Sequence, residues 1–95
     1  MSEVGRAIAL PAVVDLDALD GVRDRLIEAV ELGPVDVDGA DVERVATNAL
    51  LMLVSAAETA RRNSFPFHIV RASASMLGAI DRLGLNQPFA TLMKG

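Results

Sequence analysis

Short apolar segments alternate with stretches of helical periodicity along this chain, and that alternation restricts its fold more than any other feature of its 95 residues. From Ala18, the apolar residues Leu19, Val22, Leu26, Ile27 and Val30 recur every three or four positions up to Leu32-Gly33-Pro34. This predicts an amphipathic helix that opens on the acidic Asp15-Leu16-Asp17 and stops at a Gly-Pro pair. Before it, Ala7 to Val14 form an apolar run split by Pro11, which cannot donate to a sheet ladder, so one or two short strands are expected there. Val35-Asp36-Val37-Asp38 alternates apolar and acidic, as a short strand does, and Gly39-Ala40 closes it. Thr47 and Asn48, both good N-cap residues, precede a second helix expected from Ala49 to Arg62. Asn63-Ser64 breaks it, and Phe65 to Val70 reads as another strand. Ser73 then caps a helix carrying Met76, Leu77, Ile80 and Leu83, which Gly84 ends at its C′ position. The tail, Leu85 to Met93, is expected to add one helical turn after Pro88.

Strands alternating with helices of ten to fifteen residues require crossover connections, and those produce parallel pairing. The expected fold is therefore α/β: about four short, mostly parallel strands with helices packed mainly on one face. Residues 1–95 read as one domain, since no repeat, linker or low-complexity tract interrupts them. A composition of 52% hydrophobic and 23% charged residues, with a mean hydropathy of +0.37, is that of a chain that folds around one modest core.

Composition also narrows function. The absence of cysteine removes disulfides, thiolate metal sites and Cys nucleophiles. Nine Lys plus Arg against thirteen Asp plus Glu leave a net charge of −4, the wrong sign for a phosphate-backbone partner. Phe65, Phe67 and Phe89 are the only aromatics, so stacking platforms for bases or sugars are lacking. Met1 to Arg6 have no basic stretch leading into an apolar one, unlike a secretory signal. The longest unbroken apolar run, Ala49 to Val54, falls far short of the roughly 20 residues a membrane span requires. A soluble, cytoplasmic protein without membrane insertion is expected.

Catalytic constellations are likewise weak. His68 has no second His or Cys to complete a metal site or a catalytic pair, so it reads as an ordinary strand histidine. Asp15, Asp17 and Asp20 lack the Gly and terminal Glu of a calcium loop, and acidic residues before a helix are expected from its dipole. Asp36, Asp38, Asp41 and Glu43 read as the solvated side of a strand and turn. No glycine-rich phosphate loop is present, and Ser55, Ser64, Ser73 and Ser75 stand in no nucleophile-elbow context. No enzyme activity, metal or cofactor is expected. Two features stand out. The second helix begins Ala49-Leu50-Leu51-Met52-Leu53-Val54, apolar around nearly its whole circumference, which fits either a docking surface or a helix buried on two sides. Thr47 sits at its start, either as a plain cap or as a hydroxyl beside unpaired backbone N–H groups, where a phosphoryl group would be favourably held.

The order of elements and the residues around Thr47 resemble the STAS family, the bacterial anti-sigma-factor antagonists and their relatives. Val35 to Leu50 looks like that family's strand, polar turn and helix start, which typically reads hydrophobic-x-hydrophobic-Asp, a short turn, then Asp-Ser/Thr-x-Gly-Leu. Leu10 to Leu26 is similar to its strand pair and first helix, and Met76 to Leu85 to its last helix with a Gly-Leu exit. The resemblance implies a non-catalytic module that regulates a protein partner by docking through the start of the second helix. Thr47 falls on the family's phosphorylation or contact position, and Asp38 on the acidic residue ending the preceding strand. With Asn48, Leu50, Leu51 and the nearby Arg44, these form the implied docking set. Ala46 stands where the family usually has Asp, and Ala49 where it has Gly. The implied partners are an anti-sigma factor or kinase-like ATPase. The alternatives are the ATPase subunit of a lipid-transport ABC complex and a role in chemotaxis or stress signalling. Homodimers are a further expectation.

Overall fold

A computed structural model describes residues 6–94 of the chain; the segment 1–5, read above for targeting signals, and Gly95 lie outside them. The elements in order are β1 (Arg6–Ala9), β2 (Val13–Val14), α1 (Leu16–Leu32), β3 (Val35–Asp38), β4 (Arg44–Val45), α2 (Thr47–Arg62), β5 (Phe67–Val70), α3 (Ala74–Arg82), α4 (Asn86–Ala90) and β6 (Met93–Lys94). The architecture is α/β, as the alternation implied. β1, β3, β5 and β6 form a four-stranded sheet in that order, every pair parallel, and β2 pairs with β4 in a second, two-stranded parallel sheet.

Pro11 accounts for the split between β1 and β2. Leu10 N–H still bonds to the Asp38 carbonyl at the end of the large sheet (2.9 Å), but Pro11 has no N–H, and two residues later the chain joins the other sheet. α1 begins at Leu16, two residues earlier than the periodicity indicates, because the Asp15 carboxylate caps it by accepting from Ala18 N–H (3.1 Å). At its far end, α2 closes on Ser64 in the left-handed region (φ 65°), with Phe65 N–H bonding back to the Ala60 carbonyl (2.9 Å). Phe65 and Pro66 are thus spent on that exit, and β5 starts at Phe67 rather than Phe65. α3 ends in the same way on Gly84 (φ 70°), with Leu85 N–H on the Ile80 carbonyl (2.9 Å). In the tail, α4 begins at Asn86 and carries Pro88 within its first turn, where the missing N–H costs nothing. The two-residue β6 beyond it was not anticipated, since two residues hold no periodicity.

Strand alternation decides which side of the sheet is dry. Ile8, Val35, Val37, Phe67 and Ile69 point to one side and are buried with Leu26, Leu50, Leu53, Met76, Ile80 and Phe89 in the core. Ala7 and Ala9 are exposed on the other side, and Asp36 and His68 are half-exposed there, so that face of the sheet is left open. α1 and α2 lie side by side and start together, because the parallel β2 and β4 feed them after the same short interval. They also end together: Asn63, at the close of α2, donates from Nδ2 to the Val30 carbonyl of α1 (3.1 Å). That bond satisfies one of the carbonyls a helix end leaves unpaired.

Candidate functional site

The implied docking residues lie on the loops and helix starts that follow the parallel strands, and each is placed by a local cause. Asp38 ends β3. Its carboxylate accepts from Ala40 N–H (3.0 Å), an Asx-type turn that starts the loop to β4, and from the guanidinium of Arg71, just past β5. First the Ala40 N–H and then Arg71 hold the Asp38 carboxyl below the usual carboxylate range. Arg71 was not singled out from the sequence. Its signal lies in the topology: β3 and β5 are paired with Asp38 opposite Val70, which places the next residue beside the carboxylate. Arg71 adopts a left-handed backbone (φ 53°), a conformation uncommon for a residue with a Cβ, and from there its side chain reaches Asp38.

The loop is tied to its neighbour by backbone bonds. Gly39 N–H donates to the Val70 carbonyl (3.0 Å), and Ser73 N–H donates to the Gly39 carbonyl (3.1 Å). The Ser73 hydroxyl donates to the Val42 carbonyl (2.6 Å) and accepts from Met76 N–H (3.0 Å), so one side chain both caps α3 and anchors the β3–β4 loop. Arg44, in β4, is exposed and lines a shallow cleft between β4 and α3 with Glu43, Ser75 and Arg82.

Thr47 differs from its expected role. It is the first helical residue of α2, and the N-cap position is Ala46, which offers no side-chain bond. Ala46 N–H is engaged with the Val14 carbonyl (2.9 Å), which extends the β2–β4 pairing by one residue and draws Ala46 into the cap position. The Thr47 side chain is therefore exposed and not needed to start the helix, and Asn48 is exposed beside it. One turn on, Leu51 is 46% exposed, on the same stripe as Thr47 and Ser55. Leu50 requires a correction: it is fully buried, so its side chain belongs to the core and not to a docking surface. The apolar circumference of α2 resolves in the same way. Ala49, Leu50, Leu53, Ala57 and Ala60 face the core, and Met52, Val54 and Ala56 are half-buried, leaving Leu51 as its exposed large apolar residue.

Thr47, Asn48 and Leu51 thus share one exposed stripe, and Asp38 is joined to Arg71. Among the described residues, no ion pair or side-chain hydrogen bond links Asp38, Arg44 and Thr47 to one another. His68 lies on the open face of the sheet, directly across from Asp36, with Nδ1 3.9 Å from the carboxylate.

The Asp38 contacts lead to a measurable pH dependence. A carboxylate held below its unfolded value stabilises the fold fully above the unfolded pKa, and that stabilisation is lost as the pH falls through the folded value. Asp38→Asn is expected to lower the melting temperature at neutral pH and to flatten its decline below about pH 4. Thermal unfolding of both proteins across an acid series checks this: the two curves converge at the acid end.

No family model and no curated relative matches the chain. Among solved structures, it is similar to a sulfate transporter family protein from Wolinella succinogenes, with a TM-score of 0.68 and 14% sequence identity over 96% of this chain and 80% of that one. Among the described residues, no helix is long and apolar enough to cross a membrane. The likeness is one of fold: the chain has the small α/β arrangement found in that sulfate transporter family protein.

Proposed function

We propose that this protein is a non-catalytic STAS-type interaction module of the cytoplasm that regulates a protein partner by docking through the start of α2. The observation that carries the reading is the exposed, non-capping Thr47, with Asn48 beside it and the half-exposed Leu51 one turn away. Arg44, in β4 just before α2, and Asp38, at the end of β3, are further candidate polar contacts for the partner. The fold likeness supports the module type.

In the signalling form of this reading, the partner is an anti-sigma factor or kinase-like ATPase, and Thr47 is the switch. Its hydroxyl oxygen attacks the γ-phosphorus of ATP held by the partner, ADP leaves with the broken bond, and a base of the partner takes the hydroxyl proton. The phosphoryl group adds nearly two negative charges, which the free N–H groups of the helix start accommodate. Those charges oppose return to an apolar docking surface. A second form is favoured by the name of the structural neighbour and by Ala46 in place of the usual acidic residue: a fixed subunit of a transport complex, docked on its ATPase subunit without modification.

The test measures partner capture and affinity with wild-type, Thr47→Glu and Leu51→Glu proteins. In the signalling form, either substitution places a charge in the docking stripe and is expected to weaken binding about tenfold or more. Loss with both variants, from a kinase-like ATPase or anti-sigma partner, fits the signalling form. A transporter ATPase weakened by Leu51→Glu but retained by Thr47→Glu fits the fixed subunit. Wild-type affinity in both variants would sink docking through α2.

A further inference from the structure

The cleft between β4 and α3 has a volume of about 340 Å³, with Arg44 on its β4 wall and Arg82 on its α3 wall. Arg23, Arg61 and Arg71 are each paired with a carboxylate, whereas among the described residues Arg44 and Arg82 take part in no ion pair. Between them lie the exposed Ser75 and, in the middle of α3, Gly78. Only proline is less favourable than glycine inside a helix. Packing does not call for a glycine here: a Cβ at position 78 would meet one atom within 4 Å, Nη1 of Arg82, at 3.9 Å. Arg82 thus folds back along α3 over Gly78, and the bare backbone leaves the floor of the cleft open beneath its guanidinium.

Among the described residues, Glu43 is the acidic residue that lines the cleft, so two cations face one anion there. Asp41 is exposed in the loop before β4 and outside the lining. Asp81 lies about 100° round α3 from Arg82 and accepts from Asn86 Nδ2 (2.9 Å), and Asp38 is held by Arg71. The net charge of −4 gives the chain no general attraction for anions, so an anion bound here is held by local donors. Two guanidiniums on opposite walls with a hydroxyl between them suit a tetrahedral group with three free oxygens better than a planar carboxylate, which one guanidinium satisfies. We infer that the cleft between β4 and α3 is a binding site for a phosphoryl group, with Arg44 and Arg82 as its cationic donors and Gly78 as the opening beneath Arg82. Free phosphate and a phosphorylated side chain present the same oxygens to it. Arg44 is shared with the docking residues proposed above, but no residue of α2 lines the cleft, so the inference goes beyond that reading and does not depend on it.

Amide chemical shifts of isotope-labelled protein, followed at fixed ionic strength as inorganic phosphate is added, test this. The amides of Ser75 and Gly78 are expected to shift and to saturate in about the millimolar range, as a pair of charge-assisted hydrogen bonds allows. Arg44→Gln and Arg82→Gln are each expected to weaken binding about tenfold or more. Gly78→Val fills the cleft floor with a residue that a helix accepts better than glycine, and is expected to abolish binding while the rest of the spectrum reports an intact fold. Glu43→Gln removes the cleft's own anion and is expected to tighten binding about threefold. Arg25→Gln and Leu51→Glu, both outside the cleft, are expected to leave it within about twofold, and the second separates this site from the docking stripe of α2. Acetate is expected to bind about tenfold more weakly than phosphate. A phosphoserine peptide without other charges identifies the source: a gain over inorganic phosphate marks a phosphorylated chain, and equal or weaker binding marks a free anion. Shifts that never saturate overturn the inference. So does a loss in Arg25→Gln as large as in Arg44→Gln, full binding by Gly78→Val, or acetate bound as well as phosphate.

Discussion

Leu50→Ala is expected to lower the free energy of unfolding by about 2–5 kcal/mol, whereas Leu51→Ala, one residue further on, changes it by less than about 0.5 kcal/mol. The two leucines are chemically identical and adjacent, so the contrast isolates burial. Leu50 is 0% exposed and sits in the core cluster with Leu26, Leu53 and Ile80. Truncating it removes the transfer free energy of its side chain and leaves a cavity that the close-packed surroundings fill only partly. Leu51 is 46% exposed and gives up little by losing atoms that already face water. In a domain of this size each kcal/mol moves the melting temperature by about 4–8 °C, so thermal unfolding separates the two variants clearly. Equal losses from both would mean that α2 is turned about its axis relative to the core. The result bears on function as well. A Leu50 variant that fails to bind a partner reports a damaged fold, whereas a Leu51 variant reports the docking stripe itself.

Gly39→Ala is expected to cost about 1–3 kcal/mol, although the change adds one methyl group to a loop. A Cβ at position 39 would lie 2.8 Å from the Met76 sulfur and 3.4 Å from the Ala72 Cα. Met76 is 0% exposed and cannot swing into solvent to make room. The Gly39 backbone cannot retreat either, because its N–H is bonded to Val70 and its carbonyl to Ser73, the two bonds that join the ends of β3 and β5. A thermodynamic cycle with Met76→Ala identifies the cause. That change alone costs about 2–5 kcal/mol, but it also removes the atom the new methyl group meets, so the double variant should lose less than the sum of the single losses. Strict additivity would place the strain of Gly39→Ala elsewhere.

Much of this architecture could be read from the residues. The three-and-four spacing from Leu19 to Val30 and from Met76 to Leu83, the alternation Val35-Asp36-Val37-Asp38, the Gly84 exit and the break at Pro11 are all local signals. Each acts over a few residues, through side-chain period or through the dihedral preference of one residue, and each reappeared in the fold. The limits of α2 and β5 were less legible. Ala46 took the cap position from Thr47 because its N–H is used by β2, an element some thirty residues earlier in the chain. Sequence proximity carries no trace of that bond.

The candidate site divides along the same line. The chain's own order of residues determined that it would form an α/β layer, that Ser73 would cap α3, and that Thr47, Asn48 and Leu51 would gather at the start of one helix. Period and capping chemistry are properties of neighbouring residues. Only the tertiary structure decided that Leu50 faces inward while Leu51 faces outward, since both sides of that helix are apolar and the periodicity does not choose between them. It likewise decided that Arg71 meets Asp38 across the ends of two parallel strands, and that Arg44 and Arg82 line one cleft from β4 and α3. These placements depend on how separate elements are registered and rotated against each other, and that is set by how their side chains pack once the chain has closed on itself.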